Sequence, residues 1–251
     1  MSDKLIQEQI NEINRKLDLF SIYYSDSLWK YSNDKYYSPI AAFSIGKSDT
    51  FKICLYVKKN SPFKEASDLK GAKLGISSDD FSYFTLRKMA PAKPEDYFGS
   101  VTVFNDDISK IYALAFGTMD VVNTTDGSLW MMKITDPGPA KLVRPISCVG
   151  DYYSAPLFVS KKVPEDVVRL LKQQAEYILM HPMETLKNPE YVAYKPVLQK
   201  YLPIIQKYKT RFIWVTADNY KSVMDIYKTA KKNGWDKEYE LWKKYTKTKA
   251  E

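Results

Sequence analysis

Hydroxyl, amide and carboxylate side chains gather at four places where a strand-like run meets a helix-like or return segment: Tyr24 to Trp29, Ser77 to Thr85, Asn123 to Ser128 and Tyr152 to Ala155. At the second, Lys73 to Ile76 is a compact apolar strand, and Ser77, Ser78, Asp79 and Asp80 supply N-cap oxygens for a helix beginning near Phe81. The free N–H groups of such a helix start, with Ser82, Tyr83 and Thr85 beside them, make a cradle for a polar ligand. The competing reading is that these residues only cap the helix. Asn123, Thr124 and Asp126 follow a strand ending near Val122 and read as ligand groups or as an Asx turn with its cap. Tyr23, Tyr24 and Trp29 flank Ser25, Asp26 and Ser27, and strand alternation sends one or two of the aromatics to the core. Tyr153, between Tyr152 and Ser154, divides between ligand contact and packing.

Donors, acceptors and aromatic walls at strand ends suit binding, and the residues that catalysis needs are missing. His181 is the single histidine, so a His-based triad or a multi-histidine metal site is excluded; before Pro182 it reads as a helix end. The chain carries no P-loop, GxGxxG or HExxH pattern. Asp79 with Asp80, and Asp106 with Asp107, are sequence neighbours that project differently, which leaves glycosidase-like chemistry unsupported. No enzyme activity, cofactor or metal is expected.

The elements that position these groups follow from pattern. Leu5 to Arg15 carries one apolar helical stripe and Leu19 to Tyr24 a strand. AAFSI and FKICLYV, within Ile40 to Val57, are two apolar runs separated by Gly46 to Asp49, a hairpin or short-loop signal. From Lys73 to Lys133 strands alternate with helices: Lys73 to Ile76, Phe81 to Met89, Val101 to Phe104, Asp106 to Phe116, Met119 to Asn123 and Gly127 to Lys133. Alternation of that kind predicts a mainly parallel sheet covered on both faces. Asn105 or Asp106 caps the fourth of these elements and Gly117 closes it. Pro164 opens a long helix with Val167, Leu171, Ala175 and Ile178 on one face, and Gly234 breaks two lysine-rich helices at the end of the chain.

At 251 residues, 45% of them hydrophobic, the chain can bury one large core or two smaller ones, and no apolar run is long enough to span a bilayer. The opening MSDKLIQEQINEI is polar and helical, unlike a secretory signal. The net charge of +8 admits an anionic partner, but the terminal lysines read as a solvated helix face. No groove-reading or base-stacking motif points to nucleic acid.

SPFKEASDLKGAKLGI, from Ser61, resembles the "S-x-I-K-S-x-x-D-L-K-G-K-K" segment of type II periplasmic solute-binding proteins, in particular the phosphonate-binding family of ABC importers. Ile108 to Leu129 is similar to that family's helix and "G-x-x-D-A" unit, Tyr152 to Leu171 to its return crossover, and Gln9 to Tyr31 to its "L-x-x-G-x-L-D" helix and strand. The resemblance implies an α/β fold of two domains joined by two crossover strands, residues 1–56 with 150–251 forming one domain and 57–149 the other. It implies a hinged cleft for a small polar or phosphonate-like solute, an ABC permease in the membrane as partner, and a periplasmic or extracytoplasmic location, with a lipid anchor as one option. Family members carry a strand, a helix and a strand before the segment that opens this chain, so an incomplete first domain, self-association that supplies the missing elements, or a degenerate or truncated relative acting as a sensory or protein-interaction domain are the alternatives. Ser77, Ser78, Ser82, Tyr83 and Thr85 fall at the family's Ser-Thr-Ser anion clasp, but Asp79 and Asp80 stand in it and oppose an anion. Cys54 and Cys148 fall on the two implied crossovers, as two buried thiols or, in an oxidising compartment, a disulfide.

Overall fold

The computed structural model describes residues 19–21, 37–44, 46, 48–187, 189, 196, 199, 203 and 206–248. In chain order the strands and first helices are β1 (Leu19–Ser21), β2 (Tyr37–Ser44), β3 (Phe51–Lys58), β4 (Lys73–Ser77), α1 (Asp80–Met89), α2 (Pro94–Tyr97), β5 (Ser100–Phe104) and α3 (Asp107–Phe116). There follow β6 (Val121–Thr125), α4 (Asp126–Thr135), α5 (Pro137–Ala140), β7 (Val143–Tyr152), β8 (Pro156–Ser160), α6 (Glu165–Met180), α7 (Pro182–Lys187), β9 (Arg211–Trp214), α8 (Lys221–Asn233) and α9 (Trp235–Thr248). The predicted helix at Leu5 to Arg15 lies outside the described residues, as does the strand reading beyond Ser21.

The chain forms two compact units, residues 1–49 with 153–220 and residues 50–152 with 221–251. In the first, an antiparallel sheet of order β1-β8-β2-β9 packs Ile40, Ala41 and Val159 against Val163, Val168, Phe212 and Trp214. Helix α6 presents Val168 to that core, whereas Val167 and Leu171, two of the positions expected on its inner face, stay about two-fifths exposed (40% and 41%). The apolar stripe of α6 is wider than the surface it packs on, so periodicity alone did not choose the buried edge.

In the second unit the sheet order is β5-β4-β6-β3-β7. Strands β5, β4 and β6 are parallel, while β3 pairs antiparallel with both β6 and β7, so the sheet is mixed rather than mainly parallel. The AAFSI and FKICLYV runs are not a hairpin: β2 and β3 belong to different sheets, and the short loop between them is a passage from one unit to the other. Strand alternation sends Cys54, Tyr56 and Val122 to one face, where they pack with Ile111 and Leu114 of α3 and Leu129 and Met132 of α4. Burying such side chains contributes about 1.5–3 kcal/mol each. The opposite face carries α1, on which α8 and α9 lie. Residues 221–248 therefore belong with the second unit, not with residues 153–220 as expected, because the rings of Tyr227, Tyr239 and Trp242 pack on Phe81, Tyr83 and Phe84 of α1.

Cys54 and Cys148 stand directly opposite each other on β3 and β7 and are joined as a disulfide, which replaces the reading as two buried thiols. Gly150, at φ +92°, lets β7 turn beneath the Tyr152 ring where the β3–β7 register slips.

Candidate functional site

Each of the three parallel strands runs into a helix, so the first turns of α1, α3 and α4 follow the carboxyl ends of β4, β5 and β6. All three turns are capped in one pattern, an oxygen-bearing residue followed three positions later by serine. Asp79 takes the Ser82 N–H on Oδ1 (2.7 Å) and the Ser82 hydroxyl on Oδ2 (2.8 Å). Asp106 does the same with the Ser109 N–H and hydroxyl, both at 2.7 Å. Thr125 Oγ1 accepts from the Ser128 N–H at 3.0 Å, and the Ser128 hydroxyl passes on to Asp107 Oδ2 at 2.7 Å.

Lys110 sits at the centre of this edge, its side chain 1% exposed. Its Nζ reaches Asp107 Oδ1 at 2.6 Å, the Ser77 hydroxyl oxygen at 2.7 Å and the Asn123 carbonyl at 2.7 Å. One ammonium thus ties the end of β4 to the end of β6 through the first turn of α3. All three of its protons have an acceptor, as a buried ammonium requires. Burial opposes ionisation of Asp107, but Lys110 and the Ser128 hydroxyl outweigh it and hold the carboxyl below the ordinary range. Asp106 is held low by the Ser109 N–H and then by its hydroxyl.

The structure brings together some of the residues singled out by sequence and separates others. Ser77 and Asn123 converge on the Lys110–Asp107 pair, and Thr124 follows Asn123, buried at 2% exposure. Asn123 is 1% exposed, and among the described residues its side-chain amide nitrogen has no hydrogen-bond partner. Asp126 begins α4 and accepts the Lys52 N–H on Oδ1 at 2.9 Å. Ser78 is exposed, and its carbonyl accepts the Tyr239 hydroxyl at 2.8 Å. Ser82 is committed to the Asp79 cap, and the Thr85 hydroxyl bonds back to the carbonyls of Phe81 and Ser82 within α1.

Tyr83 is not at the edge. It is fully buried among Phe84, Tyr239 and Trp242, and burial raises its phenol pKa, so it is a core ring. Tyr83 lies on the face of α1 that α9 covers, and a linear reading of the loop carries no sign of that cover. Tyr153 belongs to the first unit, its ring 6.2 Å from Tyr220. Tyr24 and Ser25 lie outside the described residues.

Sequence reasoning missed Lys110 and Asp107. Their signal is an Asp-x-x-Lys spacing that puts both on one turn of a capped helix, together with the recurrence of [DT]-x-x-S at three successive strand ends. Among the described residues no group of three or more His, Cys, Asp or Glu side chains is arranged to hold a metal ion, and no helix is long and apolar enough to cross a membrane.

A family model described as the periplasmic substrate-binding protein of phosphonate ABC transporters matches residues 17–175. No curated protein matches the sequence significantly. Among solved structures, a binding-protein component of an ABC phosphonate transporter from Pseudomonas aeruginosa is similar at 13% identity and TM-score 0.57, over 97% of this chain and 85% of the other. PhnD1 from Prochlorococcus marinus (MIT 9301), solved in complex with methylphosphonate, is similar at 13% identity and TM-score 0.52, over 92% and 95% of the two chains. The periplasmic aliphatic sulphonate binding protein SsuA from Escherichia coli is similar at 16% identity and TM-score 0.52, over 89% and 79%. At these identities the likeness is one of fold.

Proposed function

The chain belongs to the family of periplasmic substrate-binding proteins of phosphonate ABC transporters, and from that premise we propose that its solute is held at the carboxyl edge of β4 and β6, by groups that favour an amine-bearing zwitterion over a bare oxyanion. It is an extracytoplasmic binding component that works with an ABC permease, and it is not an enzyme. Ser77, Ser78, Asn123, Thr124 and Asp126 are the candidate solute contacts in the second unit, and Tyr24, Ser25 and Tyr153 remain candidates from the first.

One observation carries the preference. The Asp79 carboxylate already takes the Ser82 N–H and hydroxyl that an oxyanion at the start of α1 would need. A second negative group about 4 Å away costs on the order of 1–4 kcal/mol, depending on the local dielectric. Lys110 offers no compensation, since its ammonium is spent on Asp107, Ser77 and the Asn123 carbonyl. A solute that brings its own ammonium group turns the neighbouring Asp80 and Asp126 from repulsive to attractive. Ser77 and Ser78 are then left for its acidic end.

The test is a thermal-shift and calorimetry panel of aminomethylphosphonate, methylphosphonate, ethanesulfonate and inorganic phosphate. A ligand at a hundred times its Kd stabilises the folded protein by about 2.7 kcal/mol, which is readily resolved. We expect aminomethylphosphonate to raise the melting temperature and inorganic phosphate to leave it unchanged. Tighter binding of methylphosphonate than of its amino analogue overturns the zwitterion preference, and a flat response to every compound overturns the assignment of the site.

A further inference from the structure

The loop from Ser78 to Asp80, between β4 and α1, is held from outside by the two C-terminal helices. Tyr239 of α9 donates its hydroxyl to the Ser78 carbonyl at 2.8 Å, and Tyr227 of α8 donates to Asp80 Oδ1 at 3.0 Å. The phenols are aimed by ring packing. Tyr227 stacks on Phe81 at 6.1 Å between centroids and meets Phe84 edge-on at 5.6 Å. Tyr239 lies 5.6 Å from Tyr83, 5.9 Å from Phe84 and 5.8 Å from Trp242. At the other end of α1, Arg87 bonds Glu238 at 3.0 Å and lies over the Trp235 ring at 5.3 Å, so α9 is pinned along two turns of the helix it covers.

We infer that α8 and α9 are a positioning clamp for the solute loop, with Tyr239 and Tyr227 setting the orientation of the Ser78–Asp79 peptide and of the Asp80 carboxylate. The inference rests on the proposed location of the solute site. Because the peptide unit is planar and trans, directing the Ser78 carbonyl at Tyr239 turns the Asp79 N–H the opposite way, away from α9. Tyr239 therefore fixes which side of the loop offers a donor. Tyr227 restricts Asp80 to one arrangement at the first residue of α1 and leaves its second oxygen geometrically defined. Neither tyrosine need touch the solute, since one acts through the Ser78–Asp79 peptide and the other through the Asp80 carboxylate.

Hydrogen exchange and calorimetry on Y239F and Y227F decide the matter, with E238Q as the control that weakens the same helix contact without touching either phenol. A hydrogen bond to a charged or strongly polarised group contributes enough for its loss to read as about a tenfold change. In each tyrosine variant, without ligand, amides in the peptide covering residues 78–86 are expected to exchange several-fold faster while those of β3 and β7 do not change. The affinity for aminomethylphosphonate is expected to fall about tenfold, whereas E238Q lowers the melting temperature and keeps that affinity. Unchanged exchange over residues 78–86, or acceleration spread evenly over the second unit, overturns the clamp. So does a Kd that E238Q shifts as much as Y239F does. If the wild type binds none of the panel, the site reading fails by itself, and local acceleration in the exchange experiment still supports the clamp.

Discussion

Lys110 and Asp107 form the tightest electrostatic contact of the candidate site, and both ends of it can be tested. Replacing Lys110 by methionine leaves the Asp107 carboxylate, the Ser77 hydroxyl and the Asn123 carbonyl short of a donor at once. Removing one partner of a buried pair costs about 3–5 kcal/mol. Because the Asp107 side chain is 27% exposed and water can reach it, the lower end is expected, read from the urea midpoint. The double variant K110M/D107N should recover part of that loss, since coupled neighbours do not add. The pH dependence has a defined sign. Asp107 has a folded pKa below its ordinary value. Its contribution is therefore fully present above the unfolded carboxyl range and is lost as pH falls through the depressed folded value. Stability of the wild type should drop steeply from about pH 4 downward and that of D107N less so, and parallel curves for the two proteins would remove Asp107 from the account. Serine, threonine and aspartate at strand ends were legible as cap or ligand chemistry because their side chains serve both uses. Lys110 was not, because a lysine three residues into a capped helix reads as solvent-facing until tertiary structure supplies its acceptors.

The Cys54–Cys148 bridge joins β3 to β7 across a sequence separation of 94, at positions that face each other in the ladder. Cys54 is 2% exposed, while Cys148 lies on the exposed side of an edge strand where a thiol reductant can reach it. Closing so long a loop restricts the unfolded chain, and removing a native bridge of this kind costs about 2–4 kcal/mol. C54A/C148A should therefore unfold at a lower urea concentration, and wild type in dithiothreitol should approach it; equal midpoints with and without reductant would show that the ladder alone holds the strands. A bridge also suits the oxidising, extracytoplasmic setting of the family. At this scale the sequence was largely readable. The helix ended by Gly117 and the break at Gly234 both fall where positive φ is found, at +86° and +72°. What local pattern missed was partnership. The β2 and β3 runs are close in sequence and read as a hairpin or as two runs with a short loop between them, yet their partners lie more than 60 residues further on, and no turn signal records a strand that leaves its sheet.

Beyond the two crossovers implied by resemblance, the chain passes between its units a third time, at residues 220 and 221, to lay α8 and α9 on α1. This passage escaped the sequence reading for a physical reason. The apolar stripe Val223, Ile226, Tyr227 and Ala230 declares that α8 is buried against something, but amphipathicity carries no information about which sheet provides the surface. The consequence concerns the whole molecule. Ending the chain after Tyr220 would strip cover from Phe81, Tyr83 and Phe84, now all under 5% exposed. Each apolar side chain returned to water forfeits about 1.5–3 kcal/mol, so three of them amount to much of the about 5–15 kcal/mol that holds a domain folded. The truncated protein is accordingly expected to bind a hydrophobic dye and lose its near-ultraviolet circular dichroism while keeping far-ultraviolet signal, the signature of secondary structure without fixed packing. A soluble truncation that unfolds with the wild-type slope in urea would mean that α1 is stable on its sheet alone. In that case the C-terminal helices are an accessory to the unit. If the dye binds, they are part of its core, and any change in how they sit on α1 is transmitted to the Ser78–Asp80 loop by the same contacts that keep the unit folded.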